Sequence, residues 1–204
     1  MLIDHIIYAH PDLDAAVDEI EGRFGVQATG GGQHPGRGTH NKVLALGSHS
    51  YLEIIAPDPG QPEPSGPRPY GVDCITRGRL VGWALACDDI EDSAARARSM
   101  GFDPGGVIDG QRVSSTGTLL RWRVTGNAQV GGLIPFLIDW GETPHPAADA
   151  APGLELLSVQ VEHPEPGSLV PALAAMGTDV EVREAMEPAL VARIGGPKGE
   201  QVLR

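Results

Sequence analysis

IDHIIYAHPDLDAAVDEIEGRFGV, residues 3–26, changes its apolar spacing from strand-like to helix-like partway along, and that change decides the fold. Ile3 to Ala9 form an apolar run with one histidine inside it. Pro11 and Asp12 then mark a helix start, Leu13, Val17, Ile20 and Phe24 share one helical face, and Gly25 offers the left-handed stop. The same succession recurs in VGWALACDDIEDSAARARSMGF (81–102), with Ile90, Ala94, Ala97 and Met100 as its stripe and Gly101 as its stop. It recurs again in LELLSVQVEHPEPGSLVPALAAMGT (154–178), through Leu169, Leu173 and Met176 to Gly177. Pro171 is compatible with that third helix if Ser168 is the N-cap, because a proline in the first turn removes an N–H that has no helical acceptor.

After each helix the apolar spacing returns to two. THNKVLALG (39–47) and HSYLEIIA (49–56) follow the first helix, TGTLLRWRVTG (116–126) and LIPFLIDW (133–140) the second, and VEVREA, LVARIGG and EQVLR the third. Each unit therefore reads as strand, helix, then antiparallel strands. PDPGQPEPSGPRPYG and TPHPAADAAPG hold too much proline for element interiors and read as connections. The expected fold is α+β: two paired βαβββ modules at 1–56 and 79–142, a proline-rich linker at 57–78, and a shorter third module at 153–204. Units of this size bury a core poorly alone, so face-to-face pairing is expected.

Composition narrows the function. The chain is 41% hydrophobic, with 28 glycines, 18 prolines and a formal net charge of −12. No basic cluster offers phosphate contacts, which argues against nucleic acid. No run of eighteen apolar residues and no leader-like start is present, so a cytoplasmic protein that neither spans a membrane nor is exported is expected, as a monomer or homodimer. Cys74 and Cys87 form no C-x-x-C pair and read as structural thiols. GGGQHPGRGTHN (30–41) approaches a phosphate-loop pattern but lacks its Lys and Ser/Thr and leads into a strand; it suits a flexible loop entering a binding site.

A duplicated βαβββ unit with His in its first strand and Glu in its last resembles the vicinal-oxygen-chelate superfamily. IDHIIYA, RGTHNKVLALGSHSYLEIIAP and IPFLIDW resemble its glyoxalase-like domain proteins most closely. The resemblance implies a curled mixed sheet with an open cup that takes a small-molecule ligand. In the family's metalloenzymes a divalent ion sits in that cup, on side chains from the first and last strands of two units. Carried over, it implies metal ligands at His5 and Glu53, with Asp139 in FLIDW at the place of the second carboxylate and Mn, Fe, Zn or Ni as the ion. Trp83 stands where a second ligand is expected, and its indole cannot bind a cation.

Two functions remain open at this point. One is a divalent-metal-dependent lyase, isomerase or dioxygenase with His40 as the proton-transfer residue. The other is a metal-free binding or sequestration protein, with Trp83, Leu85 and Leu137 walling a pocket. Asn41 and His40 are neighbours on one strand, so alternation admits only one of them to the cup. Arg121 and Arg123 share a strand face and form a candidate clamp for an acidic ligand, with Trp122 on the other face. Glu53 carries particular weight, since a carboxylate between Leu52 and Ile54 requires a cation, a donor or water if it is buried.

Overall fold

A computed structural model describes residues 1–114, 117–126 and 131–204. Thr116, which heads one of the expected strands, lies outside the described residues. The first unit runs β1 (Ile3–Ala9), α1 (Leu13–Phe24), β2 (Thr29–His34), β3 (Thr39–Ala45) and β4 (Tyr51–Pro57). The second runs β5 (Arg79–Ala86), α2 (Ile90–Ser99), β6 (Val107–Val113), β7 (Leu119–Thr125) and β8 (Phe136–Asp139). The remainder comprises β9 (Glu155–His163), α3 (Val170–Ala175), β10 (Glu181–Glu184), β11 (Ala189–Gly196) and β12 (Gly199–Leu203).

Local chemistry sets these boundaries. Asp12 caps α1 by accepting from the Ala15 amide, and Gly25 ends it in the left-handed region at φ 78°. Asp89 caps α2 in the same way through the Asp92 amide. The glycine-rich stretch expected to be a flexible loop is instead strand β2 followed by a tight turn, in which the Arg37 amide donates to the His34 carbonyl.

The first two units build one eight-stranded sheet in the order β2-β3-β4-β1-β5-β8-β7-β6. In each unit the first strand pairs in parallel with the last: His5 lies beside Tyr51, and Ala84 beside Phe136. The units join where β1 meets β5 antiparallel, with His5 opposite Ala84. This register makes the two halves pseudo-symmetric, so that Ala84 corresponds to His5 and Ile138 to Glu53. The sheet curls until its ends meet, as shown by Arg112 of β6, whose Nη1 donates to the Gly31 carbonyl of β2 at 3.0 Å.

One face of the sheet carries α1, α2 and the smaller four-stranded sheet, β10-β9-β11-β12, over a core that includes Ile6, Ile20, Phe24, Leu85, Val161 and Leu190. The small sheet is wired differently from the other units: β9 has β10 parallel on one side and β11 antiparallel on the other. No helix among the described residues is long and apolar enough to cross a membrane.

Trp83, expected as a pocket wall, belongs to this helix-covered core together with Leu85 and Leu137. It is fully buried, and its indole Nε1 donates to the Leu133 carbonyl at 3.0 Å. The cause is register: Ile6 of β1, which faces the helices, lies opposite Trp83, whereas His5 on the other face lies opposite Ala84. Trp83→Phe leaves the Leu133 carbonyl without its donor, and we expect a stability loss of about 1–3 kcal/mol, read in urea unfolding.

Candidate functional site

The inner face of the curled sheet forms an open cup with a cavity of about 80 Å³ at its base. Its polar lining comes mostly from the first unit: His5, His34, Asn41 and Glu53. The second unit contributes Trp122, Val124, Phe136 and Ile138, with Arg112 as its charged member. Pro69 and Tyr70, from a short 3-10 turn at Pro69–Cys74, also line the cavity. Tyr70 is held at φ 57°, the single non-glycine positive φ among the described residues, and its ring stacks on Phe136 with centroids 6.1 Å apart. A left-handed tyrosine costs about 1 kcal/mol or more, and such strain is found where surrounding structure requires it.

His5 is fixed by a neighbour that alternation places on the wrong face. Strict alternation would point Asp4 at the helices, but β1 bulges there: Ile3 pairs with Leu85 and His5 with Ala84, leaving Asp4 as the extra residue. Its carboxylate therefore reaches the inner side, where Oδ1 lies 2.6 Å from His5 Nδ1. Oδ2 accepts from Trp140 Nε1 and lies against His145 Nε2, both at 3.1 Å. Burial alone would raise the Asp4 pKa, but hydrogen bonds from His145 and His5 outweigh it and hold the group at about 2. Asp4 is thus an anion, which makes His5 Nδ1 the donor in this pair and leaves Nε2 as the ring nitrogen toward the cup. Tyr51 stacks on the same ring, with centroids 4.6 Å apart at 17°.

Glu53 is 6% exposed and finds the donor that its position demands: Asn41 Nδ2 donates to Oε1 at 2.6 Å. Asn41 Oδ1 accepts from the Gly32 amide, which fixes the orientation of the side-chain amide. His5 Nε2 stands 3.9 Å from Glu53 Oε2, and His34 Nε2 stands 3.8 Å from Oε1. The pKa of His34 is lowered because burial outweighs the attraction of Glu53, with Arg112 and Arg37 pushing the same way as burial. The structure therefore brings His5 and Glu53 together and, of the two β3 neighbours that alternation left open, turns Asn41 inward to join them.

Other expected site residues lie elsewhere. His40 faces outward, with Nδ1 3.9 Å from Asp58 Oδ1, because its neighbour Asn41 takes the inward position on β3. Asp139 points away from the cup: Oδ1 accepts from the Gly141 amide, and Oδ2 is 4.0 Å from Arg123. Arg123 itself pairs with Glu91 of α2 at 2.5 Å, and Arg121 on the same strand face is exposed; their neighbour Trp122 is the residue that enters the cup. Sequence reasoning missed Asp4, His34 and Arg112. Asp4 is hidden by the bulge, and the other two sit on β2 and β6, whose glycines blur strand alternation.

The donors present do not fit an ion shared between two units. The second-unit positions that correspond to His5 and Glu53 are Ala84 and Ile138, whose side chains have no donor atoms. Among the described residues, no group of three or more His, Cys, Asp and Glu is arranged to hold an ion.

Comparison with known proteins agrees with the fold. The family model described as "Glyoxalase-like domain" matches residues 3–177. No curated protein matches the chain. A hypothetical protein from Staphylococcus aureus superposes with a TM-score of 0.69 at 16% identity, covering 92% of this chain and 87% of its own. The methylmalonyl-CoA epimerase of Streptomyces coelicolor, in complex with 2-nitronate-propionyl-CoA, superposes with a TM-score of 0.50 at 20% identity, over 72% of this chain and 99% of its own. These likenesses establish a shared fold.

The depressed pKa of Asp4 has a direct consequence for stability. An acid whose folded pKa lies below its unfolded value stabilises the protein above the unfolded value, here 3.8, and loses that contribution as pH falls through about 2. The advantage of the native chain over Asp4→Asn in urea unfolding should therefore be fully present at about pH 5 and shrink by about 2 kcal/mol toward pH 2.

Proposed function

Because the chain belongs to the glyoxalase-like domain family, we propose that its cup takes up a small organic molecule and that His5 exchanges a proton with it, as in an isomerase or lyase. The observation that carries this reading is the Asp4–His5 pair, with Nδ1 2.6 Å from a buried carboxylate and Nε2 facing the cup. A carboxylate that holds the Nδ1 proton fixes the tautomer and orientation of the imidazole and stabilises the imidazolium formed when Nε2 takes a proton. Asp4 accepts no proton itself, since three donors occupy it and its pKa is near 2. Glu53, 3.9 Å from Nε2, supplies a counter-charge to the imidazolium. The walls formed by Tyr51, Tyr70 and Phe136 keep water from the ring and hold the reacting group in place.

A second reading, a binding module without catalysis, is supported by the apolar second-unit wall of Phe136, Ile138 and Val124. The two readings separate in deuterium oxide. A panel of 2-oxo acids and acyl thioesters, each with hydrogens beside a carbonyl, is incubated with the protein and followed by proton NMR. We expect at least one member to exchange above the buffer rate. That exchange should fall about 10²- to 10⁴-fold in His5→Gln and by a similar factor in Asp4→Asn, whose amide no longer fixes the tautomer. Exchange that never exceeds the buffer rate, or that survives both substitutions, rules out proton transfer and leaves the binding module.

A further inference from the structure

Arg112 is the one Lys or Arg buried among the described residues, at 6% exposure. Among the described residues, eight arginines pair with Asp or Glu, and Arg112 is not among them. Its described hydrogen bond goes to the neutral carbonyl of Gly31, and no carboxylate of the described residues lies within 4.0 Å of it. Glu53, the acid nearest in electrostatic effect, is already bonded to Asn41 and flanked by two histidines. In a chain with 27 Asp and Glu against 15 Lys and Arg, a buried cation left without an acid is unusual.

Arg37 adds a second uncompensated guanidinium. It is exposed at the same cavity, and none of the described ion pairs includes it. The same cavity is lined by rings and branched carbons: Phe136, Ile138, Trp122 and Val124. A guanidinium presents a planar fork that matches a carboxylate, and burial strengthens the pairing once both partners are in place.

We infer that the cup selects an organic carboxylate, its anionic head on Arg112 with Arg37 at the mouth, and its apolar body against Phe136, Ile138 and Trp122. This rests on the reading of the cup as a small-molecule site and adds the chemical class of the guest. The lowered pKa of Arg112, caused by burial against the weaker opposing pull of Glu53 and Tyr51, agrees with a cation whose counter-charge is incomplete without the guest.

The test uses 3-phenylpropanoate and its neutral counterpart 3-phenylpropanamide, titrated against the full chain by calorimetry and by quenching of tryptophan emission, since Trp122 and Trp140 both line the cup. The carboxylate should bind about tenfold or more tightly than the amide. Arg112→Gln should abolish that preference while leaving the weak affinity for the amide in place, and Arg112→Lys should keep part of it. Equal binding of the two probes, binding of neither, or a preference that survives Arg112→Gln overturns the inference. Should Arg112→Gln fail to fold, as circular dichroism would show, the native comparison and the lysine variant decide. His5→Gln separates this inference from proton transfer: it should retain the carboxylate preference whether or not exchange is lost.

Discussion

Antiparallel pairing of β1 with β5 is the constraint on which the other features of the cup depend. The seam joins the two units, sets the pseudo-symmetry and places His5 opposite Ala84. The bulge that brings Asp4 onto the inner side lies within the same pairing, so one irregularity of register both re-aims a carboxylate and fixes the histidine beside it. An unbulged seam would leave Asp4 in the helix-covered core, where a carboxylate needs donors that this core does not offer.

Pseudo-symmetry of the backbone is not matched by symmetry of chemistry. The first unit places an imidazole and a carboxylate on its inner strands, and the second places methyl and sec-butyl groups at the corresponding positions, Ala84 and Ile138. A duplicated fold has thus become a cup whose inner strands carry polar groups at the first unit's positions and hydrocarbon at the second's, with Arg112 as the second unit's one charged contribution. Tyr70, strained and stacked on Phe136, extends the apolar wall from a segment outside the sheet.

Much of this was legible in the residues, for physical reasons. Helices α1 and α2 declare themselves through capping aspartates and apolar stripes, and β1 and β4 through the residues His5 and Glu53 set among apolar neighbours; on β3 alternation says that one of His40 and Asn41 turns inward but not which. The reading failed where alternation is weak or broken. TGGGQH and VIDGQRV carry too few apolar side chains to mark a strand, yet they form β2 and β6 and contribute His34 and Arg112. Trp83 and Asp139 were misplaced because likeness of position along a strand was read as likeness of facing. A shift of one residue reverses the side to which a strand residue points, and both fall on the side away from the cup.

The bond from Arg112 to the Gly31 carbonyl has a bearing on colloidal behaviour. Strands β2 and β6 end the large sheet, and an unpaired end strand is a template on which foreign chains can add and polymerise. By drawing the two ends toward each other, the guanidinium helps each to screen the other's backbone amides and carbonyls from intruders. Resistance to fibril-like stacking and affinity for an anion would then reside in one side chain, and neither property could drift in evolution without touching the other.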